Sequence, residues 1–192
     1  MKFDIVLAGV GGQGVLSVSA IIASSAMAEG LHVKQSEVHG MSQRGGSVLA
    51  NLRISDHPIA SALVSKGTAA MILGMEPVES LRYLEYLSPA GTLITSGTPV
   101  ATPAGYPPIA AVLAEIQGLP SAHVIDAERL ARQAGSARAT NMVIVGAASK
   151  WLPVRLETIE HFVRTMFAAK GEQVVDTNLK APRAGRDAAR AA

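Results

Sequence analysis

The sequence contains no cysteine and few aromatic residues. Its 192 residues include one Trp, three Tyr and three Phe. Without cysteine the chain has no disulfides, no thiolate zinc site and no cysteine nucleophile, and we do not expect it to hold an iron–sulfur cluster, because such clusters are ligated mainly by thiolates. Few aromatic side chains also means few surfaces on which nucleobases could stack. Any electron-carrying centre is therefore expected on another chain.

A strong charge of one sign is also lacking. Seventeen Lys and Arg residues against 15 Asp and Glu residues give a formal net charge of +2. A field this weak does not indicate a nucleic acid or a membrane surface as partner. No stretch reaches the roughly 18 consecutive apolar residues typical of a membrane span, and the N-terminus has no signal-peptide pattern. We therefore expect a cytoplasmic protein with neither kind of partner.

What the sequence does have is aliphatic side chains in short runs that alternate with helical patterns. Hydrophobic residues make up 48% of the chain. Strands alternating with helices are typical of α/β proteins, so we predict a Rossmann-like, largely parallel sheet with flanking helices. A single domain is expected over residues 1–192, with a Pro- and Gly-rich loop excursion at 97–108 and a helical C-terminal segment at 140–192. The predicted strands are 3–8, 31–38, 47–54, 69–73, 91–95 and 123–126.

A glycine-rich turn follows the first predicted strand. Gly9, Gly11 and Gly14 match the G-x-G-x-x-G pattern, with Gly12 and Gln13 between them. In such a turn backbone amides and a helix N-terminus can face an anion. The acidic companion of a dinucleotide site is expected about 20 residues further on, and Glu37 lies near that place. Three interpretations stay open here: a dinucleotide site for NAD(P) or FAD, a site for another anion, and a tight structural turn.

A second polar loop, between the strands predicted at 31–38 and 47–54, is more distinctive. His39 could serve in acid–base chemistry or as a hydrogen-bonded structural residue, and Arg44 could clamp a carboxylate or phosphate or form a salt bridge. Loops at the carboxyl edge of a parallel sheet meet ligands and partners, so we expect this loop to lie close to the glycine turn. The candidate residues of the loop are Glu37, His39, Gln43, Arg44, Gly45 and Gly46.

These two loops resemble those of a known family. The segments G-V-G-G-Q-G-V at 9–15 and E-V-H-G-M-S-Q-R-G-G-S-V at 37–48 are similar to the gamma domain of pyruvate and related 2-oxoacid:ferredoxin oxidoreductases, with most resemblance to the beta subunit of the indolepyruvate type. The likeness extends to D-T-N-L-K-A at 176–181. Pro182 departs from it, since an aromatic residue would be expected there, and this bears on how the C-terminal helix docks.

The resemblance implies a heteromeric enzyme that oxidatively decarboxylates an arylpyruvate to an acyl-CoA. It places thiamine diphosphate, Mg²⁺ and iron–sulfur clusters on a large partner subunit, which passes electrons to ferredoxin, with CoA as co-substrate. This chain would bind no cofactor and no metal and would contain no catalytic residue. Its glycine turn and second loop would form an edge bordering the partner's active site, where they would help to position CoA, with His39 and Arg44 just outside the reacting groups.

Two other functions fit the sequence less well. A free-standing Rossmann-like oxidoreductase would need a catalytic grouping beside the glycine turn, and none such as Tyr-Lys or Ser-His-Asp is evident. A nucleotide-binding module of the P-loop type would need a lysine after the glycines. His57, His123 and His161 lack metal-ligand spacing, so no metal site is predicted. The isolated chain could also form a homodimer through surface that a missing partner leaves uncovered.

Overall fold

One six-stranded sheet forms the centre of the molecule within the described residues. The computed structural model describes residues 1–39, 45–100 and 105–190. The strands are β1 (Lys2–Val10), β2 (His32–His39), β3 (Ser47–Ser55), β4 (Ala69–Gly74), β5 (Leu87–Ser96) and β6 (Ala122–Ile125), in the order β2-β3-β1-β4-β5-β6. Strands β1, β4, β5 and β6 are parallel neighbours, and only β3 runs the opposite way. The predicted largely parallel α/β sheet is confirmed.

Seven helices flank this sheet in the described part of the chain. They are α1 (Val15–Ala28), α2 (Pro77–Arg82), α3 (Ile109–Gln117), α4 (Ala127–Ala134), α5 (Thr140–Ala148), α6 (Leu156–Phe167) and α7 (Glu172–Arg190). Short 3₁₀ turns occupy Leu84–Tyr86, Ala137–Ala139 and Ala168–Lys170. Helix α3, which begins directly after Pro108, was not predicted from the sequence. None of the described helices is both long and apolar enough to cross a bilayer.

The buried strands explain why helices cover both faces of the sheet. Ile5, Val6 and Leu7 of β1 are all fully buried. Successive strand residues point to opposite faces, so Ile5 and Leu7 pack with α1 and α4–α7, whereas Val6 packs with α2 and α3. Full burial of each such side chain contributes roughly 1.5–3 kcal/mol. Continuous burial of this kind is typical of strands inside a parallel sheet.

The strand order departs from a simple βαβ opening. Strand β2, which follows α1, does not lie beside β1, because β3 lies between them. Strand β3 pairs antiparallel with β1 from Lys2↔Ser55 to Val10↔Ser47, and with β2 on its other side. The hairpin of β2 and β3 therefore returns the second loop to the end of β1 where the glycine turn begins.

The C-terminal helix α7 docks on α5 through two glycines. A Cβ at Gly146 would lie 1.8 Å from the carbonyl oxygen of Pro182, and one at Gly185 would lie 1.9 Å from that of Val143. The helix backbones thus approach to a distance that a side chain would prevent. Pro182 lies inside α7 at this crossing, and the helix continues through it although proline removes one backbone hydrogen bond. Proline at position 182, where the family resemblance predicts an aromatic residue, is therefore compatible with a docked C-terminal helix.

Candidate functional site

The glycine turn connects the end of β1 to the start of α1. Gly14 is the N-cap of α1 in the left-handed region, with φ 79°. A Cβ there would lie 2.5 Å from Nδ2 of Asn141, and a Cβ at Gly9 would lie 2.9 Å from Cγ2 of Val15. Glycine is thus required at Gly14 by backbone conformation and space, and at Gly9 by the close packing of strand and helix.

The side chain of Gln13 joins the ends of two strands. Its Oε1 accepts a hydrogen bond from the Val10 N–H at 2.8 Å, and its Nε2 donates to the Met75 carbonyl at 3.0 Å. Chain connections leave β1 and β4 in opposite directions, which makes the gap between them the topological switch point, where ligands bind in open α/β sheets. The Gln13 carboxamide occupies part of that crevice.

The glycine turn and the second loop meet through two backbone hydrogen bonds. The Gly11 N–H donates to the Gly46 carbonyl at 2.8 Å, and the Gly45 N–H donates to the Gly11 carbonyl at 3.3 Å. The prediction that the two loops lie together is confirmed for Gly45 and Gly46. Gln43 and Arg44 lie outside the described residues, as does the side chain of His39, whose backbone ends β2. The roles assigned to these three stay predictions.

The position of Glu37 does not suit a dinucleotide site. Glu37 lies on β2 opposite Ala50 of β3, so β3 separates it from the glycine turn at the end of β1. In a dinucleotide-binding sheet the acidic residue ends the strand next to β1, whereas here two strand spacings, about 10 Å, intervene. The Gly11 N–H, moreover, is already bonded to Gly46. These two observations weigh against the NAD(P) or FAD interpretation.

A cleft of about 240 Å³ opens beside Gln13 at the switch point. We call it the switch-point cleft. Its lining combines hydroxyl, amide and charged groups from four separate parts of the chain. The lining residues are Gly12, Gln13, Met75, Ser96, Thr98, Glu128, Ala137, Arg138, Thr140 and Asn141. Of these residues, only Gly12 and Gln13 were predicted from the sequence as site candidates, because the others lie far from the glycine turn along the chain.

A buried carboxylate ties the loop after β5 to the end of β4. Glu76 is 1% exposed. Its Oε2 accepts the Glu79 N–H at 2.8 Å and so caps α2, while its Oε1 accepts the Tyr106 hydroxyl and the Val100 N–H. Burial, and then the hydrogen bond to Glu76, raise the pKa of the Tyr106 phenol above its usual range. The contact of Tyr106 with Glu76 spans 30 residues, and the sequence pattern did not predict it.

A neighbouring carboxylate anchors the start of β3. The Glu79 carboxylate accepts a hydrogen bond from the Ser47 hydroxyl at 2.5 Å. It also accepts two hydrogen bonds from Arg82 Nε and one from Arg82 Nη2. The hydrogen bonds and charge of Glu79 raise the pKa of the Arg82 guanidinium. Ser47 directly follows the second loop, so this network fixes one end of that loop against α2.

Histidine forms no metal cluster in the part of the chain that is described. No three His, Asp or Glu side chains are grouped there so that they could hold a metal ion. His123 instead packs with Trp151, with ring centroids 4.7 Å apart, and burial lowers its pKa. That the chain binds no metal and no cofactor stays a prediction.

Comparison with known proteins gives consistent matches over nearly the whole chain. Residues 4–188 match the family model of pyruvate ferredoxin/flavodoxin oxidoreductases. The chain is 38% identical over 195 residues to indolepyruvate oxidoreductase subunit IorB of Archaeoglobus fulgidus, covering 96% of this chain and 94% of that one.

Solved structures agree in fold. The pyruvate oxidoreductase subunit PORC of Thermotoga maritima is 25% identical with a TM-score of 0.75, covering 97% of this chain and 96% of that one. The gamma subunit of a keto/oxoacid ferredoxin oxidoreductase from Geobacter sulfurreducens PCA has a TM-score of 0.73 at 24% identity, covering 99% of both chains. With the glycine turn and second loop in contact, these matches establish that the chain belongs to the pyruvate ferredoxin/flavodoxin oxidoreductase family.

Proposed function

We propose that this chain is the small subunit of an indolepyruvate, or more broadly arylpyruvate, oxidoreductase with ferredoxin as electron acceptor. The observation that carries the proposal is the 38% identity to an indolepyruvate oxidoreductase subunit across almost the full length of both chains. The reaction converts the 2-oxoacid and CoA into acyl-CoA, CO₂ and a proton, and two electrons reduce two ferredoxins. A single domain of this family spans residues 1–192.

The chemistry of the reaction belongs to a large partner subunit in this proposal. Thiamine diphosphate with Mg²⁺ supplies the carbanion chemistry there, and iron–sulfur clusters carry the electrons to ferredoxin. The present chain has no cysteine, so it cannot provide the thiolates that such clusters use. We therefore place no catalytic residue in this chain, and its task is to complete the assembly.

The part of the chain that borders the partner's active site is the carboxyl edge of the sheet. There the glycine turn and the second loop are joined at Gly11 by backbone hydrogen bonds. Residues at this edge are suited to position CoA or to shape the substrate channel, because the N-terminus of α1 and the cationic Arg44 favour an anionic ligand. The edge residues are Gly9, Gly11, Gly12, Gln13, Gly14, Glu37, His39, Gln43, Arg44, Gly45 and Gly46.

Single substitutions in the assembled enzyme test the edge. We expect the His39→Ala and Arg44→Ala variants to assemble normally but to have a higher KM for CoA or a lower turnover. For Arg44→Ala the expected change is about tenfold, because one charge-assisted hydrogen bond is lost. Arg129→Ala on the exposed surface of α4 is the matched control and should leave both constants unchanged. If both variants assemble normally with full turnover and unaltered CoA affinity, the proposed role of these edge residues is contradicted.

Substrate choice is tested separately with the complete enzyme. Reduction of ferredoxin is measured with indolepyruvate, phenylpyruvate, pyruvate and 2-oxoglutarate, each with CoA. The proposal predicts that kcat/KM for the two arylpyruvates exceeds that for the other two substrates by at least about tenfold, which corresponds to about 1.4 kcal/mol. A preference for pyruvate or 2-oxoglutarate would refute the arylpyruvate assignment but not the family.

A further inference from the structure

Helix α1 carries no charged residue, although one side of it faces solvent. Its sequence from Val15 to Ala28 consists of aliphatic residues, serines and one methionine. A helix at a protein surface normally places charged and polar residues on its outer side. On the outer side of α1, by contrast, Leu16 is 37% exposed and Met27 is 57% exposed.

Helix α5 shows what such a composition means. It also has no charged residue, and its residues 142–148 are all buried. Burial inside the chain therefore explains the composition of α5. The outer side of α1 stays exposed in the described part of the chain, so the same composition there indicates burial against another polypeptide.

The outer residues of α1 follow the spacing of a helix–helix contact. Four of them, separated by four, three and four positions, form one line along the helix. We call them the α1 seam: Leu16, Ala20, Ala23 and Met27. This is the spacing of the apolar line along which one helix packs against another. The two alanines lie between the large side chains and let a second helix approach to roughly 8 Å between axes. The seam is about 16 Å long, so it fits a helix of about three turns.

The α1 seam continues from the edge that borders the partner's active site in the proposed function. Gly14 is the N-cap of α1, so Leu16 lies in the first turn of helix after the glycine turn. A stable interface buries roughly 800 Å² on each partner, which is more than one side of a short helix provides. An interface that covers both the glycine turn and the α1 seam meets this requirement better than either surface alone.

A larger polypeptide suits this surface better than a second copy of the chain. The ketoisovalerate oxidoreductase subunit VorA of Methanothermobacter thermautotrophicus is 29% identical to this chain over 186 residues, and the matching region is only 36% of that protein. There the domain is covalently joined to a longer remainder. Such a fusion keeps a different polypeptide beside the domain, and the uncharged seam is suited to an apolar surface of that kind.

We propose that the α1 seam packs against a helix of the large partner subunit. This contact rests on the proposed function, because that function supplies the partner. The apolar side of the partner's helix covers Leu16 and Met27, and the removal of their apolar surface from water stabilises the complex. The contact fixes α1, and with it the glycine turn, against the partner.

Single cysteines test the contact, because the chain itself has none. Ala20→Cys and Met27→Cys each introduce the only thiol of the chain. Gln117→Cys is the control at the exposed end of α3, on the opposite face of the sheet. Each variant is treated with N-ethylmaleimide, alone and in complex with the partner, and the mass of this chain records the labelling. Labelling at positions 20 and 27 should slow at least about tenfold in the complex and at position 117 less than about twofold, because the centre of an interface excludes water.

A charged residue on the α1 seam gives an independent measurement. Met27→Arg should weaken assembly with the partner at least about tenfold, because it buries a cation without an anion, whereas Gln117→Arg should change it less than about twofold. Met27 is exposed in the isolated chain, so both variants should keep the wild-type unfolding temperature by circular dichroism.

The outcomes separate the α1 seam from the proposed function. If the wild-type chain purifies with no larger subunit, the seam and the proposed function fail together. If the complex forms but both seam thiols react as fast as in the isolated chain, or position 117 is protected equally, the seam is refuted and the proposed function stands. Protection that appears in the isolated chain as its concentration rises would assign the seam to a second copy and would also overturn the proposal.

Discussion

The Gln13 carboxamide holds the ends of β1 and β4 together, and its removal tests the geometry of the glycine turn. Gln13→Ala deletes the acceptor 2.8 Å from the Val10 nitrogen and the donor 3.0 Å from the Met75 carbonyl. Each intramolecular hydrogen bond contributes about 1 kcal/mol net, so the expected loss in the free energy of unfolding is about 2 kcal/mol. In a chain of this length that loss lowers Tm by about 4–8 °C.

A charged substitution separates the two hydrogen bonds. Gln13→Glu keeps an acceptor for the Val10 N–H but turns a carboxylate oxygen toward the Met75 carbonyl, so it should destabilise the protein at pH 7. Part of the loss should return below about pH 4, where the protonated carboxyl can donate. Urea unfolding followed by circular dichroism measures both variants, with Gln117→Ala at the exposed end of α3 as control. A Gln13→Ala variant within about 0.5 kcal/mol of wild type would refute the reasoning.

Two further substitutions probe the same edge of the sheet. Gly14→Ala combines a left-handed backbone with a clash at Asn141 and should lower the free energy of unfolding by about 2–3 kcal/mol. Gly12→Ala, at φ 103° with open space around the added Cβ, should lower it by only about 1 kcal/mol. Equal losses for the two variants in urea unfolding would contradict this. Tyr106→Phe leaves Glu76 without one donor and should cost about 1–2 kcal/mol. The folded-state pKa of Tyr106 is raised. The difference in free energy of unfolding between wild type and Tyr106→Phe should therefore be complete below about pH 10 and should shrink as the pH rises further. A difference that grows with pH would contradict this prediction.

Local patterns predicted most of the elements, and the reason lies in burial. The apolar run at 69–73 predicted β4, and the helical C-terminal segment predicted at 140–192 contains α6. Both could be predicted from neighbouring residues, because each element buries its own apolar side chains. The position of β3 between β2 and β1 is not local. It depends on pairing residues 47–55 with residues 2–10. No short segment of the sequence specifies which strand will be its neighbour in the sheet.

The candidate site was predictable to the same extent. Glycines at Gly9, Gly11 and Gly14 and the rule that ligand loops gather at the carboxyl edge predicted that Gly45 and Gly46 would meet the turn. The contact of Gln13 with Met75 spans 62 residues, and Arg138 reaches the same edge from the opposite half of the chain. Such convergence follows from strand order and helix docking, so sequence spacing could not indicate it.

Isolation of the chain with its native partner tests the central claim most directly. A tagged chain is purified from its own cells, and the co-purifying protein is measured for size, thiamine diphosphate, iron and sulfide, and for CoA-dependent reduction of ferredoxin with indolepyruvate. The account predicts a larger subunit that carries thiamine diphosphate and iron–sulfur clusters and is active only with this chain bound. A chain that purifies alone, binds NADH tightly and turns over a substrate by itself would contradict it.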